Sequence, residues 1–334
     1  MRNSWKWLLM LSLGLCACSP EASKVYMKPV AQKEKVTENP DALMFDPQVD
    51  ILFVVDNSGS MYSHQQNLAS NISLFTSKFS KNSILDYNIG VLTTDMGYYR
   101  QMGTLVGSPR VVTKLTPNGD AALARNLQVG TNGSAIEKSF DPILKALEPQ
   151  MLAGPNFGFY RPTAALAVIF ITDAEDQSRA SANQLYQQLL QMKKSMPQKV
   201  LAYGVIVPSW VSNCDRDEMV RPDRIEEFLK MVFNGSQGKN IFSLCDPSFG
   251  AKIADMAKDI VDIVGRVIYL NRVPAVDTIR VTYGSVELPW DADKGWSFDP
   301  KRNAIILGEK IDWNSQPFGS RVSVQYETAR FEDQ

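Results

Sequence analysis

Three oxygen-bearing side chains, Asp56, Ser58 and Ser60, alternate just after the apolar run Ile51-Leu52-Phe53-Val54-Val55. One turn can aim all three at a common point. A hard divalent cation such as Mg²⁺ takes oxygen ligands in near-octahedral array and keeps some of its waters. The D-x-S-x-S spacing supplies such ligands and leaves room for others. Ser and Asp are also ordinary turn and N-cap residues, so the spacing alone reads first as a capped helix start. A second stretch changes the reading: Ala167-Val168-Ile169-Phe170-Ile171-Thr172-Asp173 is another apolar run ending in a carboxylate, followed by Ala174-Glu175-Asp176.

Other chemistries find less support. The sole histidine, His64, has no second histidine to share proton transfer and reads as an exposed first-turn residue. No G-x-x-x-x-G-K-[ST] phosphate loop and no G-x-G-x-x-G fingerprint occurs. A Mg²⁺-dependent phosphotransferase with Asp56 as nucleophile is the serious enzymatic competitor, since aspartyl-phosphate chemistry also uses a carboxylate at a strand end. Phosphatases of that kind want D-x-D, and Ser58 occupies the second position. The expectation is therefore a protein that is not an enzyme.

The elements that must position these residues follow from the hydrophobic pattern. Continuous apolar runs ending at Asp56 and Asp173 read as strands buried on both faces, as in a parallel sheet covered by helices. Open α/β sheets bind ligands outside the carboxyl ends of their strands. Tyr62 to Phe79 carries Leu68, Ile72 and Phe75 at helical spacing, and Tyr87 to Asp95 is a further strand ending in carboxylate. A right-handed crossover brings Asp95 out at the same sheet end as Asp56, which makes Thr94 and Asp95 rim groups or caps of the following turn. A short strand is expected over 110–116, an amphipathic helix that includes 185–192, strands over 199–207 and 240–244, and helices over 224–233 and 250–264. Strands alternating with helices in this way predict a doubly wound, mostly parallel α/β domain.

The pair of motifs, Asp56-x-Ser58-x-Ser60 and Thr172-Asp173-Ala174, resembles the von Willebrand factor A domain and its metal-ion-dependent adhesion site (MIDAS). Ala174 stands where that family usually has Gly. The resemblance covers residues 47–267. It implies that strands one and four lie side by side, that Ser58, Ser60 and a loop threonine ligate a divalent cation directly, and that Asp56 and Asp173 act largely through water. The loop threonine is assigned to Thr131, in the context Gly130-Thr131-Asn132-Gly133-Ser134, with Ser134 as its rival. Alternatively Ser134 is a plain N-cap, with Glu137 completing a capping box, for a helix carrying Ile136, Phe140, Ile143, Leu144 and Leu147. Asp95, Ser134 and Glu175 complete the expected rim. The implied cation is Mg²⁺, with Mn²⁺ or Ca²⁺ as alternatives, and the implied partner is a protein offering Asp or Glu.

The ends of the chain carry other signals. Arg2 and Lys6 precede the apolar run Trp7 to Leu15, too short to span a bilayer and shaped like a secretory signal. Leu15-Cys16-Ala17-Cys18 resembles a bacterial lipobox, with Cys18 as the lipidated residue, and Ser19 after it is unlike the Asp that retains lipoproteins at the inner membrane. This gives a signal peptide over 1–18 and a lipid-anchored cell-envelope protein, expected at the outer membrane. An ordinary signal peptide with incidental cysteines is the alternative. Residues 19–46 are polar and rich in Pro, Lys and Glu, and read as a flexible linker. Cys214 and Cys245 are the remaining cysteines; in an exported protein they suggest one disulfide, two buried free thiols being the alternative. Residues 268–334 alternate in short runs such as Thr278 to Tyr283 and Val322 to Tyr326, which predicts a small antiparallel β module. With 35 Lys+Arg against 36 Asp+Glu, no basic surface for nucleic acid is indicated.

Three functions follow as expectations: metal-dependent protein binding in adhesion or envelope assembly, a structural envelope protein whose metal only stabilises the fold, and, last, the phosphotransferase.

Overall fold

The computed structural model describes residues 43–80, 84–97, 102–211, 221–232, 240–317 and 319–329. Its first strand, β1 (Leu43–Phe45), is followed by β2 (Gln48–Val55), α1 (Tyr62–Ser80), β3 (Asp86–Thr93), β4 (Val111–Thr113) and α2 (Gly119–Leu127). Next come α3 (Phe140–Ala146), α4 (Pro149–Ala153), β5 (Ala165–Ile171), α5 (Ala182–Met192), β6 (Val200–Ile206), α6 (Asp223–Val232), β7 (Ile241–Ser243) and α7 (Phe249–Arg266). Short strands close the chain: β8 (Val267–Tyr269), β9 (Arg280–Tyr283), β10 (Val286–Glu287), β11 (Trp296–Asp299), β12 (Ala304–Leu307) and β13 (Val322–Gln325).

Six of these strands form one sheet in the order β4-β3-β2-β5-β6-β7, parallel except for β4. The expected doubly wound α/β architecture is present, and the alternation along β2 shows why it forms. Val49, Ile51, Phe53 and Val55 pack on one face with Leu68, Ile72 and Phe75 of α1 and Ile253, Met256 and Ile260 of α7. Leu52 and Val54 pack on the other with Ile143 of α3, Leu185 and Leu189 of α5, and Phe228 of α6. A strand whose two faces both meet helices must be apolar along its covered length, as this one is from Ile51 to Val55. Chain order runs outward from β2 through β3 to β4, then returns to β5 on the other side of β2, which puts the topological switch point between β2 and β5.

Two expectations are revised. The helix expected to open at Ser134 begins instead at Phe140, because its first turn is capped from across the chain. Asp176 Oδ1 accepts from the Ser139 and Phe140 N–H groups, and Ser178 Oγ accepts from Phe140 and Asp141. Residues 130–139 are left as an irregular segment across the sheet end. The second revision concerns residues 19–46. Their last residues are the strand β1, which pairs antiparallel with β13, Leu43 opposite Val324 and Phe45 opposite Val322. An antiparallel module does follow α7, in two sheets ordered β1-β13-β9-β10 and β11-β12-β8, and it takes one strand from ahead of the parallel sheet. Cys18, residues 1–18 and Cys214 lie outside the described residues; Cys245 is disulfide-bonded. No described helix is long and apolar enough to cross a membrane.

Candidate functional site at the exit of the central strand

Asp56 leaves the central strand fully buried. Its backbone N–H donates to Ile171 O at 2.9 Å, continuing the β2–β5 pairing by one step. Both carboxylate oxygens are engaged. Oδ1 accepts from the Ser58 N–H at 2.7 Å, and Oδ2 accepts from Thr172 Oγ1 at 2.6 Å. Thr172 Oγ1 in turn accepts from the Ala174 N–H at 3.0 Å. Asp56 therefore acts as the internal strut of two loops, one from each side of the switch point. Burial pushes its carboxyl above the usual carboxylate range; the Thr172 and Ser58 hydrogen bonds oppose that rise, and the charge of Asp173 adds to it.

The turn that Asp56 organises brings the Ser58 and Ser60 hydroxyls to 3.1 Å of each other. Ser58 is half-buried and Ser60 exposed. Ser60 lies in a short 3₁₀ turn, Gly59–Met61, that leads directly into α1. Met61 sinks into the core while the two serines stay outside, so the turn separates structural from available side chains.

The loop carrying Thr131 reaches the same strand exit through two attachments. Gln65, on the buried face of α1, donates from Nε2 to both Asp56 O and Gly130 O at 2.8 Å, and its Oε1 accepts the Gly130 N–H at 3.2 Å. The Gly133 N–H donates to Asn57 O at 2.8 Å. Both glycines are required: Gly130 has a φ of +87°, and a Cβ at Gly133 would lie 2.4 Å from the Asn57 side chain. Thr131 sits between these attachments, half-buried.

The remaining expected residues divide. Asp173 follows Thr172 at the end of β5, partly exposed, close enough to raise the Asp56 carboxyl and to oppose the burial that lowers the His64 imidazole. His64 is half-buried against the Phe249 ring rather than free in solvent. Asp95 emerges beside Asp56, since β3 runs parallel to β2 in register. It is buried and accepts the Gly97 and Ser134 N–H groups at 2.6 and 3.3 Å, which makes it a loop anchor. Ser134 Oγ accepts from the Ile136 N–H at 3.0 Å and caps a turn, not a helix. Glu175 is directed away from the strand exit: its oxygens accept the Asp176 and Arg224 N–H groups at 2.7 and 3.1 Å, tying this loop to the start of α6. Neither Gln65 nor the bracing role of Thr172 emerges from the motifs. A signal for Gln65 existed, a glutamine at helical spacing among Met61, Leu68, Ile72 and Phe75.

The donor chemistry suits a hard cation. Every candidate ligand is an oxygen, and the adjacent Ser58 and Ser60 hydroxyls bring no charge. Two carboxylates, Asp56 and Asp173, stand within electrostatic reach of each other, and positive charge there would offset the burial of Asp56. Among the described residues no three His, Cys, Asp or Glu side chains are grouped to hold a metal, so an ion here would depend on hydroxyls and water. Asn57 Oδ1, one residue from Asp56, is a buried acceptor with no hydrogen-bond partner among the described residues.

No protein-family model and no curated protein matches the sequence. Among solved structures, the chain is similar to proximal thread matrix protein 1 (PTMP1) from the mussel byssus, with a TM-score of 0.43 and 12% identity over 69% of this chain and 51% of that one. It is similar to the same mussel protein with a zinc-occupied MIDAS motif, with a TM-score of 0.42 and 11% identity over 69% of this chain and 51% of that one. It is also similar to the pilus adhesin SpaC from Lactobacillus rhamnosus GG in its open conformation, with a TM-score of 0.40 and 12% identity over 84% of this chain and 38% of that one. The chain thus spans about half the length, or less, of these structures.

Proposed function

We propose that this chain is a protein-binding module that captures an acidic group of a partner through a divalent cation, Mg²⁺ before Mn²⁺ or Ca²⁺, held at the exit of β2. In this reading Ser58, Ser60 and Thr131 ligate directly, and Asp56 and Asp173 hold the hydroxyls and the bound waters. The single observation that carries the proposal is the convergence of the Ser58 and Ser60 hydroxyls over a carboxylate whose own oxygens are both engaged. A bound cation supplies a Lewis-acidic position whose charge neutral hydroxyls do not cancel, and a partner's Asp or Glu answers that charge. The full burial of Asp56, and Ser58 in place of the second Asp of a D-x-D motif, argue against the phosphotransferase. Export and anchoring through a lipid on Cys18 complete the proposal, with adhesion or envelope assembly as the setting.

The test is metal titration of the full chain with and without Ser58→Ala/Ser60→Ala. Wild type is expected to bind Mn²⁺, and the double variant to bind it at least tenfold more weakly. Its unfolding free energy from urea titration in EDTA should stay within about 0.5 kcal/mol of wild type, because both changes are at exposed or half-exposed hydroxyls. Capture of envelope proteins by wild type is expected to vanish in EDTA. Persistence of capture in EDTA would favour the structural alternative, in which the ion serves the fold alone.

A further inference from the structure

We propose that Gln65 is the positioning residue of the metal site: it sets where Thr131 stands without itself reaching the ion. The inference rests on the metal-binding reading and concerns how the third ligand is delivered. Thr131 belongs to a loop that arrives after β4 and α2, far along the chain from the two serines. Something must fix this loop against the β2 exit, since a site held within about 0.5 Å needs supports whose own rotamers are locked. The Gln65 amide has that character. It is 3% exposed, and both its N–H groups and its oxygen are used, one N–H on Asp56 O and the remaining N–H and the oxygen on the two backbone groups of Gly130. Turned over, the amide would present oxygen to two carbonyls and N–H groups to an N–H, so only one orientation satisfies it.

The amide pairs with Gly130 as a neighbouring strand would, on both N–H and C=O, and thereby extends the sheet's hydrogen bonding to a segment that has no strand of its own. The second attachment, Gly133 N–H to Asn57 O, closes the bracket three residues later. Between the two, Thr131 has little backbone freedom. Gln65 also holds Asp56 O, so one side chain ties the residue beneath the serines to the loop bearing the third ligand.

A double-mutant cycle with Mn²⁺ as the probe separates this role from general support of the fold. Gln65→Met keeps the side chain's length and removes the amide. On the full chain, Gln65→Met and Thr131→Ala are each expected to weaken Mn²⁺ binding at least tenfold. The double variant is expected to bind no more weakly than Thr131→Ala alone, because residues that act through one another are not additive. A purely structural role would lower the unfolding midpoint in EDTA yet leave the two effects on affinity multiplicative; that outcome overturns the proposal. Wild-type affinity in Gln65→Met or in Thr131→Ala also overturns it. Should Gln65→Met lose the wild-type circular dichroism spectrum, Gln65→Glu, which keeps the acceptor for Gly130 N–H and loses both donors, takes its place in the cycle. Absence of Mn²⁺ binding by wild type would instead remove the underlying metal reading, and this proposal with it.

Discussion

Thr172 shows how a residue can be quoted in a motif while its work stays hidden. In the sequence it is the residue before Asp173; in the fold its hydroxyl donates to one buried oxygen of Asp56 and accepts from the Ala174 N–H. Thr172→Val removes both bonds and leaves a carboxylate oxygen and an N–H without partners. Such groups cost about 1–3 kcal/mol each when buried, so a loss of roughly 2 kcal/mol is expected in urea unfolding with EDTA present. A stability equal to wild type would show that water replaces the hydroxyl. Asp56, Ser58, Ser60 and Asp173 stood out as candidates because two apolar runs end alike in a carboxylate, which the capping of a single helix does not call for. Glu175 and Ser134 were equally visible as oxygens, but their direction depends on Arg224 and Ile136, and spacing does not encode direction. For Gln65 the spacing shows a place on the apolar helix face but not its role, because its partners are backbone groups, which sequence does not distinguish.

At the scale of elements, the two ends of the parallel sheet do different work. At the end away from the site, Asp50 of β2 is buried and takes Arg161 Nε at 2.8 Å and the Arg161 N–H at 2.7 Å, while Arg161 also reaches Asp86 of β3 at 2.6 Å. Lys193, just after α5, donates to Arg161 O at 2.9 Å and lies 4.0 Å from the centre of the Tyr160 ring. Burial lowers the Lys193 ammonium to about 8, partly offset by Asp50 and reinforced by Lys199 and Arg161. A lysine whose folded value lies below its unfolded one binds fewer protons in the native state between the two values. Stability therefore rises with pH from about 8 toward the unfolded value near 10.4, and the penalty is complete below 8. Between pH 8 and 9.5 the wild type should gain about 1–2 kcal/mol in guanidinium unfolding, by linkage at about 1.4 kcal/mol per unit. Lys193→Met should flatten that rise; a wild-type stability that falls over this window would contradict the burial of the ammonium. The strands of this sheet were readable because apolar runs buried on both faces have few alternatives. The segment 130–139 was not, because Ile136 and Phe140 fit a helical period that the caps from Asp176 and Ser178 interrupt; Ile136 is 55% exposed.

For the whole molecule, the parallel domain is an insertion within the β module. Leu43 and Phe45 pack with Val322, Val324, Val281 and Tyr283 in a core separate from the two that cover the parallel sheet. The sequence could not disclose this. Ala42-Leu43-Met44-Phe45 is a four-residue apolar run between two aspartates, and its partner strand lies nearly at the other end of the chain. The pairing has a mechanical consequence, since β1 leads through Asp46 and Pro47 straight into β2, whose far end holds Asp56. If β1 completes the module, then Leu43→Ala/Phe45→Ala should loosen β13 and β9 while leaving the metal site intact. Both side chains are half-buried, so the cost should be about 1–3 kcal/mol per residue, below that of fully buried truncations. Met44 points outward at 52% exposure, and Met44→Ala should change stability by no more than about 0.5 kcal/mol. Amide hydrogen exchange resolves the location: amides of 322–325 and 280–283 should exchange faster in the double variant, and those of 48–55 and 165–171 at the wild-type rate. Faster exchange along 48–55 would mean that the module and the parallel sheet open as one cooperative unit, and unchanged exchange at 322–325 would mean that the module closes without its first strand.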